Sequence, residues 1–238
     1  MILIYLAAGR GSRLPKEFRN NPKCLVEVKN KTLFERNKEF FNFFKKKIII
    51  TGYKKNKIQK LAKKMNFKII HNKYYIKTNM VFSMFLASKQ ITEDVVVCYG
   101  DIIFNKEIIK ILRTNKNILP IYVNWFKYWK KRMTYKKILN DAENLKIHKG
   151  KVTQIGGKIV NQLPKYQYMG IMKLNKKTFI KLSKFFKSQN PKIDMTSFLN
   201  ECINKRKLKL NIKKYKSFWH EIDEKKDIII AESSRELK

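Results

Sequence analysis

Short runs of consecutive aliphatic and β-branched residues alternate along this chain with longer stretches whose apolar residues recur every three or four positions. The short runs suit strands buried on both faces, and the longer stretches have the period of helices lying on such a sheet. Ile2–Leu6 predicts a first strand, Thr32–Phe44 a helix, Lys47–Thr51 a strand, Lys54–Met65 a helix and Phe67–His71 a third strand. Met80–Ala87 opens a further helix, Asp94–Tyr99 predicts a central strand, and Glu107–Arg113 and Ile118–Val123 give one more helix and strand. The alternation predicts an α/β fold with a mostly parallel central sheet covered by helices. After Val123 the pattern changes. Trp125–Lys137 mixes aromatic with basic residues; Leu145–Ile155 and Tyr166–Leu174 predict strands, and Thr178–Phe186 and Thr196–Asn204 helices. Lys207–Ile212 and Phe218–Ile222 predict strands, and Glu224–Glu232 a closing helix. With no repeat and no flexible linker, one domain over residues 1–238 is expected, with a central insertion around 124–165.

Composition narrows the class. Hydrophobic content of 44% and aromatic content of 13% fit a globular chain. The apolar opening is too short for a membrane span, lacks a basic leader and runs straight into Arg10 and Arg13, so a buried strand explains it better than a signal peptide. Cys24, Cys98 and Cys202 are far apart and odd in number, which argues against a disulfide framework or a zinc site and for a cytoplasmic address. The formal charge of +37 would attract any anion, nucleic acid included. However, 47 of the 55 basic residues are Lys and only 8 are Arg. Lysine spread along the whole chain is the mark of a solvated surface, whereas nucleic-acid readers concentrate arginine for bidentate contacts. No specific nucleic-acid partner is expected.

Three places carry candidate chemistry. In the first, strand Ile2–Leu6 runs into Ala7, Ala8, Gly9, Arg10, Gly11, Ser12 and Arg13, followed by Pro22-Lys23. Gly9 and Gly11 leave room for backbone N–H groups to approach an anion, at the end of a strand where open α/β sheets bind ligands. Arg13 and Lys23 add the charge a triphosphate needs. Gly-Lys-Ser/Thr is absent, so this is not a P-loop, and the dinucleotide fingerprint is incomplete. Spacing alone leaves an ordinary turn open. In the second place, Gly100-Asp101 follows the apolar strand, where Asp101 suits either a magnesium ligand or a turn. In the third, Trp219-His220-Glu221-Ile222-Asp223, the spacing leaves Asp223 either a helix N-cap or a second metal ligand. His71, His148 and His220 read as structural, while Trp125, Tyr128 and Trp129 suit either core packing or stacking on a ligand.

Taken together, LAAGRGSRLP, PKCLVEV, YGD and WHEID resemble the nucleotidyltransferase superfamily that makes NDP-sugars and CDP-alcohols. Thr78-Asn79-Met80, Ser83-Met84, the stretch Leu139–Glu143, Gly156-Gly157, the stretch Gln167–Ile171 and Asp194-Met195-Thr196 are similar to its phosphocholine and phosphoglutamine cytidylyltransferase branch. The resemblance runs from residue 2 to about 232. It implies a Rossmann-like, GT-A-like three-layer α/β/α sandwich and an EC 2.7.7 type of transfer. It also implies a CTP-dependent reaction with a small phosphorylated acceptor, Mg²⁺ as cofactor, and a place in surface-polysaccharide modification. By resemblance, Leu6, Ala7, Ala8, Gly9, Gly11, Ser12, Arg13, Lys23 and Asp101 would bind the nucleotide, with Asn79 and Ser83 near its base or ribose. Asp101 and Asp223 would hold the metal, and Lys23, Arg13 and Asp101 would carry catalysis. Asp141, Glu143, Tyr168 and Gly170 would face the acceptor. The alternatives are a sugar-1-phosphate nucleotidyltransferase and, more remotely, a basic nucleic-acid-binding protein on the same fold.

Overall fold

The computed structural model describes residues 1–159 and 162–237. Its central sheet runs in the spatial order Lys68–His71, Lys46–Thr51, Ile2–Ala7, Val95–Tyr99, Ile171–Leu174, Ile118–Tyr122, Asn211–Tyr215, Lys151–Lys158, Glu143–His148. The first four of these strands are mutually parallel; Ile171–Leu174 then runs antiparallel to both of its neighbours. The fold is a mostly parallel mixed sheet between helices.

The period-two pattern of the inner strands sorts their side chains onto two cores. Ile2, Ile4, Leu6, Val95 and Val97 pack with Met84, Phe85, Phe179 and Phe198 on one side. Leu3, Tyr5, Val96 and Cys98 pack with Phe34, Phe40, Phe41 and Trp125 on the other. A third cluster, built from Leu14, Val26, Val28, Leu33, Ile103, Phe218, Ile222 and Ile228, lies beneath the glycine loop and the chain's closing segment. It matters for function because it seats those two distant segments on one support.

Most predicted elements form, with informative differences. The single helix expected over 32–44 is two, Leu33–Arg36 and Lys38–Asn42. Asn37 stands between them, buried, and its amide donates to the Ile102 carbonyl at 2.8 Å, which a continuous helix would not allow. The strand expected over 145–155 is a hairpin of Glu143–His148 and Lys151–Lys158, turned by Lys149 and Gly150 at positive φ. The strand expected over 166–174 breaks into Gln167–Tyr168 and Ile171–Leu174 around Gly170. The one expected over 207–212 begins only at Asn211, because Lys207 and Leu208 first close the preceding helix by donating to the Cys202 carbonyl. The aromatic–basic stretch forms two helices, Trp125–Arg132 and Tyr135–Asp141. Among the described residues no helix is long and apolar enough to cross a membrane.

Candidate active site

Parallel strands Ile2–Ala7 and Val95–Tyr99 are neighbours and end at the same edge, so the glycine loop and Asp101 meet there. Leu6, Ala7, Ala8 and Gly9 line a small cavity together with Lys23, Ser83 and Asp101. A Cβ added at Gly9 would meet nothing within 4 Å, so that side of the loop is open to a ligand. Gly11 has φ +64, the left-handed turn that swings the chain back toward Lys23. Gly11 and Ser12 belong to this turn rather than to the cavity wall. Ser83 is buried and accepts from the Asn72 amide at 3.0 Å. Asn79 caps the Met80–Phe85 helix through Met80 N, its amide donates to the Lys192 carbonyl, and Met80 rather than Asn79 forms cavity wall.

The short strand Trp219–Glu221 pairs antiparallel with Ile102–Phe104, placing Glu221 opposite Ile102. That register, and Ile222 N donating to the Asp101 carbonyl at 2.9 Å, bring the carboxylates of Asp101, Glu221 and Asp223 together. One oxygen of each lies within 4.8 Å of the others. Glu224, not Asp223, is the N-cap of the closing helix Lys225–Glu232, which leaves the Asp223 carboxylate free for the cluster. Lys23 Nζ spans the cluster, at 2.8 Å from Asp101 and 2.5 Å from Asp223. Arg13 reaches Asp223 at 2.8 Å. Burial opposes the Lys23 charge, but Asp101 and Asp223 outweigh it and raise its pKa, so Lys23 is an ammonium at any working pH. Burial, and then the charge of Asp223, pushes Glu221 up to about 7. Asp223 moves the other way: burial would raise it, and Lys23 and Arg13 more than reverse that.

This donor set fits a hard divalent cation. Three carboxylates converge, and Asp101 Oδ1 is buried without a hydrogen-bond partner among the described residues. Asp101, Glu221 and Asp223 would hold the ion, and the ordinary oxygen chemistry of magnesium or manganese suits them.

A second cavity, of about 320 Å³, opens beside the first and shares Met80 and Tyr99 with it. Its volume is at the lower end of the range for small-ligand pockets. Glu221 and Asp223 form one wall, and Asp141, Glu143, Tyr168 and Gly170 are all on its lining. The Thr196 hydroxyl lies between two further carboxylates, 2.8 Å from Glu143 and 3.0 Å from Asp194, with one proton to donate to either. Burial, and secondarily the charge of Asp194, raises the Glu143 pKa despite the Thr196 hydrogen bond.

Several lining residues carried too little signal to be assigned from the chain alone. Asp194 and Thr196 sit in a quoted motif but look there like a helix cap, which Asp194 also is. Trp129, Arg132 and Met133 come from the aromatic–basic stretch, on helix Trp125–Arg132 and its end. Their spacing of three and four residues is a sign of one shared face, though not of what it faces. Trp125 and Tyr128 are core, and His220 stacks between Phe218 and Tyr128.

An open glycine loop, a carboxylate trio and a second cavity thus meet at the strand ends of a mostly parallel sheet, the arrangement of a phosphate-ligand site. The chain belongs to the MobA-like NTP transferase domain family, whose profile matches residues 3–127. It is 31% identical over 228 residues to the CTP:phosphoglutamine cytidylyltransferase of Campylobacter jejuni, covering 86% of this chain and 89% of that one. Over 109 residues it is 34% identical to the choline-phosphate cytidylyltransferase of Streptococcus pneumoniae, covering 44% of this chain and 46% of that protein. The solved CTP:phosphocholine cytidylyltransferase from Streptococcus pneumoniae superposes with a TM-score of 0.73 at 20% identity, covering 97% of both chains.

Proposed function

We propose that this chain transfers CMP from CTP to a small phosphorylated acceptor whose head group carries a cationic nitrogen, phosphoglutamine- or phosphocholine-like, and releases pyrophosphate. The observation that carries this reading is the junction of the two cavities at Asp101, Glu221 and Asp223. A nucleotide on the glycine loop and an acceptor in the second cavity would meet there.

An acceptor phosphate oxygen attacks the α-phosphorus, a new O–P bond forms, and the bond to the β-phosphate oxygen breaks, pyrophosphate leaving with its electron pair. No covalent enzyme intermediate is needed, so catalysis is positioning and charge neutralisation. Lys23 and Arg13, already at the cluster, would turn to the phosphate oxygens when nucleotide arrives. A divalent ion on the carboxylates would supply further positive charge beside the reacting phosphates. The head group has its own counterpart. Glu143, Asp194 and Asp141 line the acceptor cavity together with the Tyr168 and Trp129 rings, a surface that suits a cation. Trp129 Nε1, buried with no partner among the described residues, is a donor available to an acceptor oxygen.

The test is a panel of CTP, UTP, dTTP and GTP against phosphocholine, phosphoglutamine, phosphoethanolamine and hexose 1-phosphates, read by pyrophosphate release. Release with CTP and an amino-bearing phosphate is expected. Release with hexose 1-phosphates only would overturn the acceptor assignment in favour of NDP-sugar synthesis.

A further inference from the structure

The helix Trp125–Arg132 carries one cation inward. Arg132 is 5% exposed, and its guanidinium makes three kinds of contact. It grips Asp227 sideways, Nε to Oδ1 at 2.7 Å and Nη2 to Oδ2 at 2.9 Å. Its Nη1 donates to Glu221 at 3.2 Å, and its Nη2 lies 3.5 Å from Asp223. Asp227 in turn accepts from the backbone N–H groups of Asp223 and Glu224, each at 2.8 Å. Tyr128, one turn earlier, accepts from Glu221 N at 3.2 Å and donates to the Glu221 carbonyl at 3.1 Å. The Arg132 guanidinium lies over the Tyr128 ring at 5.2 Å. Both carboxylates of the closing segment are thus fixed from this one helix, by side chain and by backbone.

We propose that Arg132 is a positioning residue for the carboxylate cluster, acting on Glu221 directly and on Asp223 largely through Asp227. The planar fork is what the geometry requires. Two donors serve Asp227 while a third serves Glu221, and an ammonium in the same place cannot span them. Trp129, one turn before Arg132, and Met133, the extended residue that ends the helix, both line the acceptor cavity, so the end of this helix touches both the acceptor and the carboxylates. The inference rests on the reading of Asp101, Glu221 and Asp223 as cation ligands.

Charge and geometry make opposite predictions here. A positive charge beside the cluster repels an incoming cation, so a guanidinium acting only by its charge would weaken ion binding, and its removal would tighten it. A guanidinium that orders the carboxylates would, when lost, weaken ion binding by about 10- to 100-fold, as with other groups that orient metal ligands. Arg132→Lys keeps the charge and loses the fork; Arg132→Gln loses both and strands Asp227, so its fold is checked first by circular dichroism and melting.

Mn²⁺ binding to the substrate-free protein, followed by electron paramagnetic resonance, separates the cases. Arg132→Lys is expected to bind Mn²⁺ about 10- to 100-fold more weakly than wild type, with a matching rise in the metal concentration for half-maximal turnover. The KM for CTP should stay within about threefold, since the glycine loop is untouched. A folded Arg132→Lys with wild-type Mn²⁺ affinity would overturn the proposal, as would tighter binding by a folded Arg132→Gln. If wild type itself binds no Mn²⁺, the metal reading of the three acids fails, and with it the role given to Arg132.

Discussion

At the level of single residues, what the sequence made legible was whatever stands beside a strand end or a glycine. Asp101 and Asp223 follow apolar strands, and Lys23 follows the loop, so local pattern points at each. Arg132 with Asp227, 95 positions apart, leaves no local pattern, whereas Glu221 shares a strand face with Asp223 at a spacing of two and gains its place beside Asp101 from its register opposite Ile102. His220 is the converse case, a histidine in a suggestive motif that the structure turns away from the acids. It lies between the Phe218 and Tyr128 rings, with Arg132 and Lys131 on the neighbouring helix and Asp227 on the closing one. Burial, followed by the Arg132 and Lys131 charges, pushes it down to about 4 from an ordinary 6.5. The folded protein therefore keeps His220 neutral while the unfolded chain protonates it below its ordinary pKa. Its contribution is fully present above pH 6.5, falls as pH drops through the window down to about 4, and is constant below. Between about pH 7.5 and pH 5 this one group should remove about 2 kcal/mol of stability. Urea unfolding of wild type and His220→Phe at the two pH values tests it. A wild-type loss no greater than that of the variant would refute the assignment.

At the level of elements, hydrophobic period located most strands of the main sheet and most of the helices on it, missed the short strand Ile102–Phe104 and the two helices of the aromatic–basic stretch, and misjudged where elements stop. Those stops are made by tertiary contacts. Asn37 splits a helix to reach Ile102, and Cys202 accepts the bonds that delay the Asn211–Tyr215 strand. The break at Gly170 is the one with functional weight. Its φ is +79, and a Cβ there would lie 3.0 Å from the Tyr99 ring, which walls both cavities. Gly170→Ala should cost about 1–3 kcal/mol of stability through left-handed strain and overpacking. It should also raise the KM for CTP and for the acceptor together, because Tyr99 is the wall that moves. Denaturant unfolding and initial rates measure both. A stability loss with both KM values unchanged would show that Tyr99 does not serve as a shared wall.

For the whole molecule the formal charge of +37 and the charge at the site must be kept apart. Around the carboxylates, Lys23, Arg13 and Arg132 face Asp101, Glu221, Asp223 and Asp227, so the site itself has no excess of positive charge. Any long-range attraction for a nucleoside triphosphate would therefore come from the lysine coat. Such a field is long-ranged at low salt and confined to about 8 Å at physiological ionic strength. If it steers nucleotide to the glycine loop, kcat/KM for CTP should fall by about tenfold or more between roughly 20 and 300 mM KCl. The value of kcat at saturating CTP should hold nearly constant, since bound phosphates are screened little by bulk ions. Steady-state kinetics over that salt range, at constant free Mg²⁺, gives both quantities. A kcat/KM that does not respond to salt would mean that the lysines only solvate the surface. A kcat that falls in parallel would mean instead that salt loosens the ion pairs of Lys23 and Arg13 within the site.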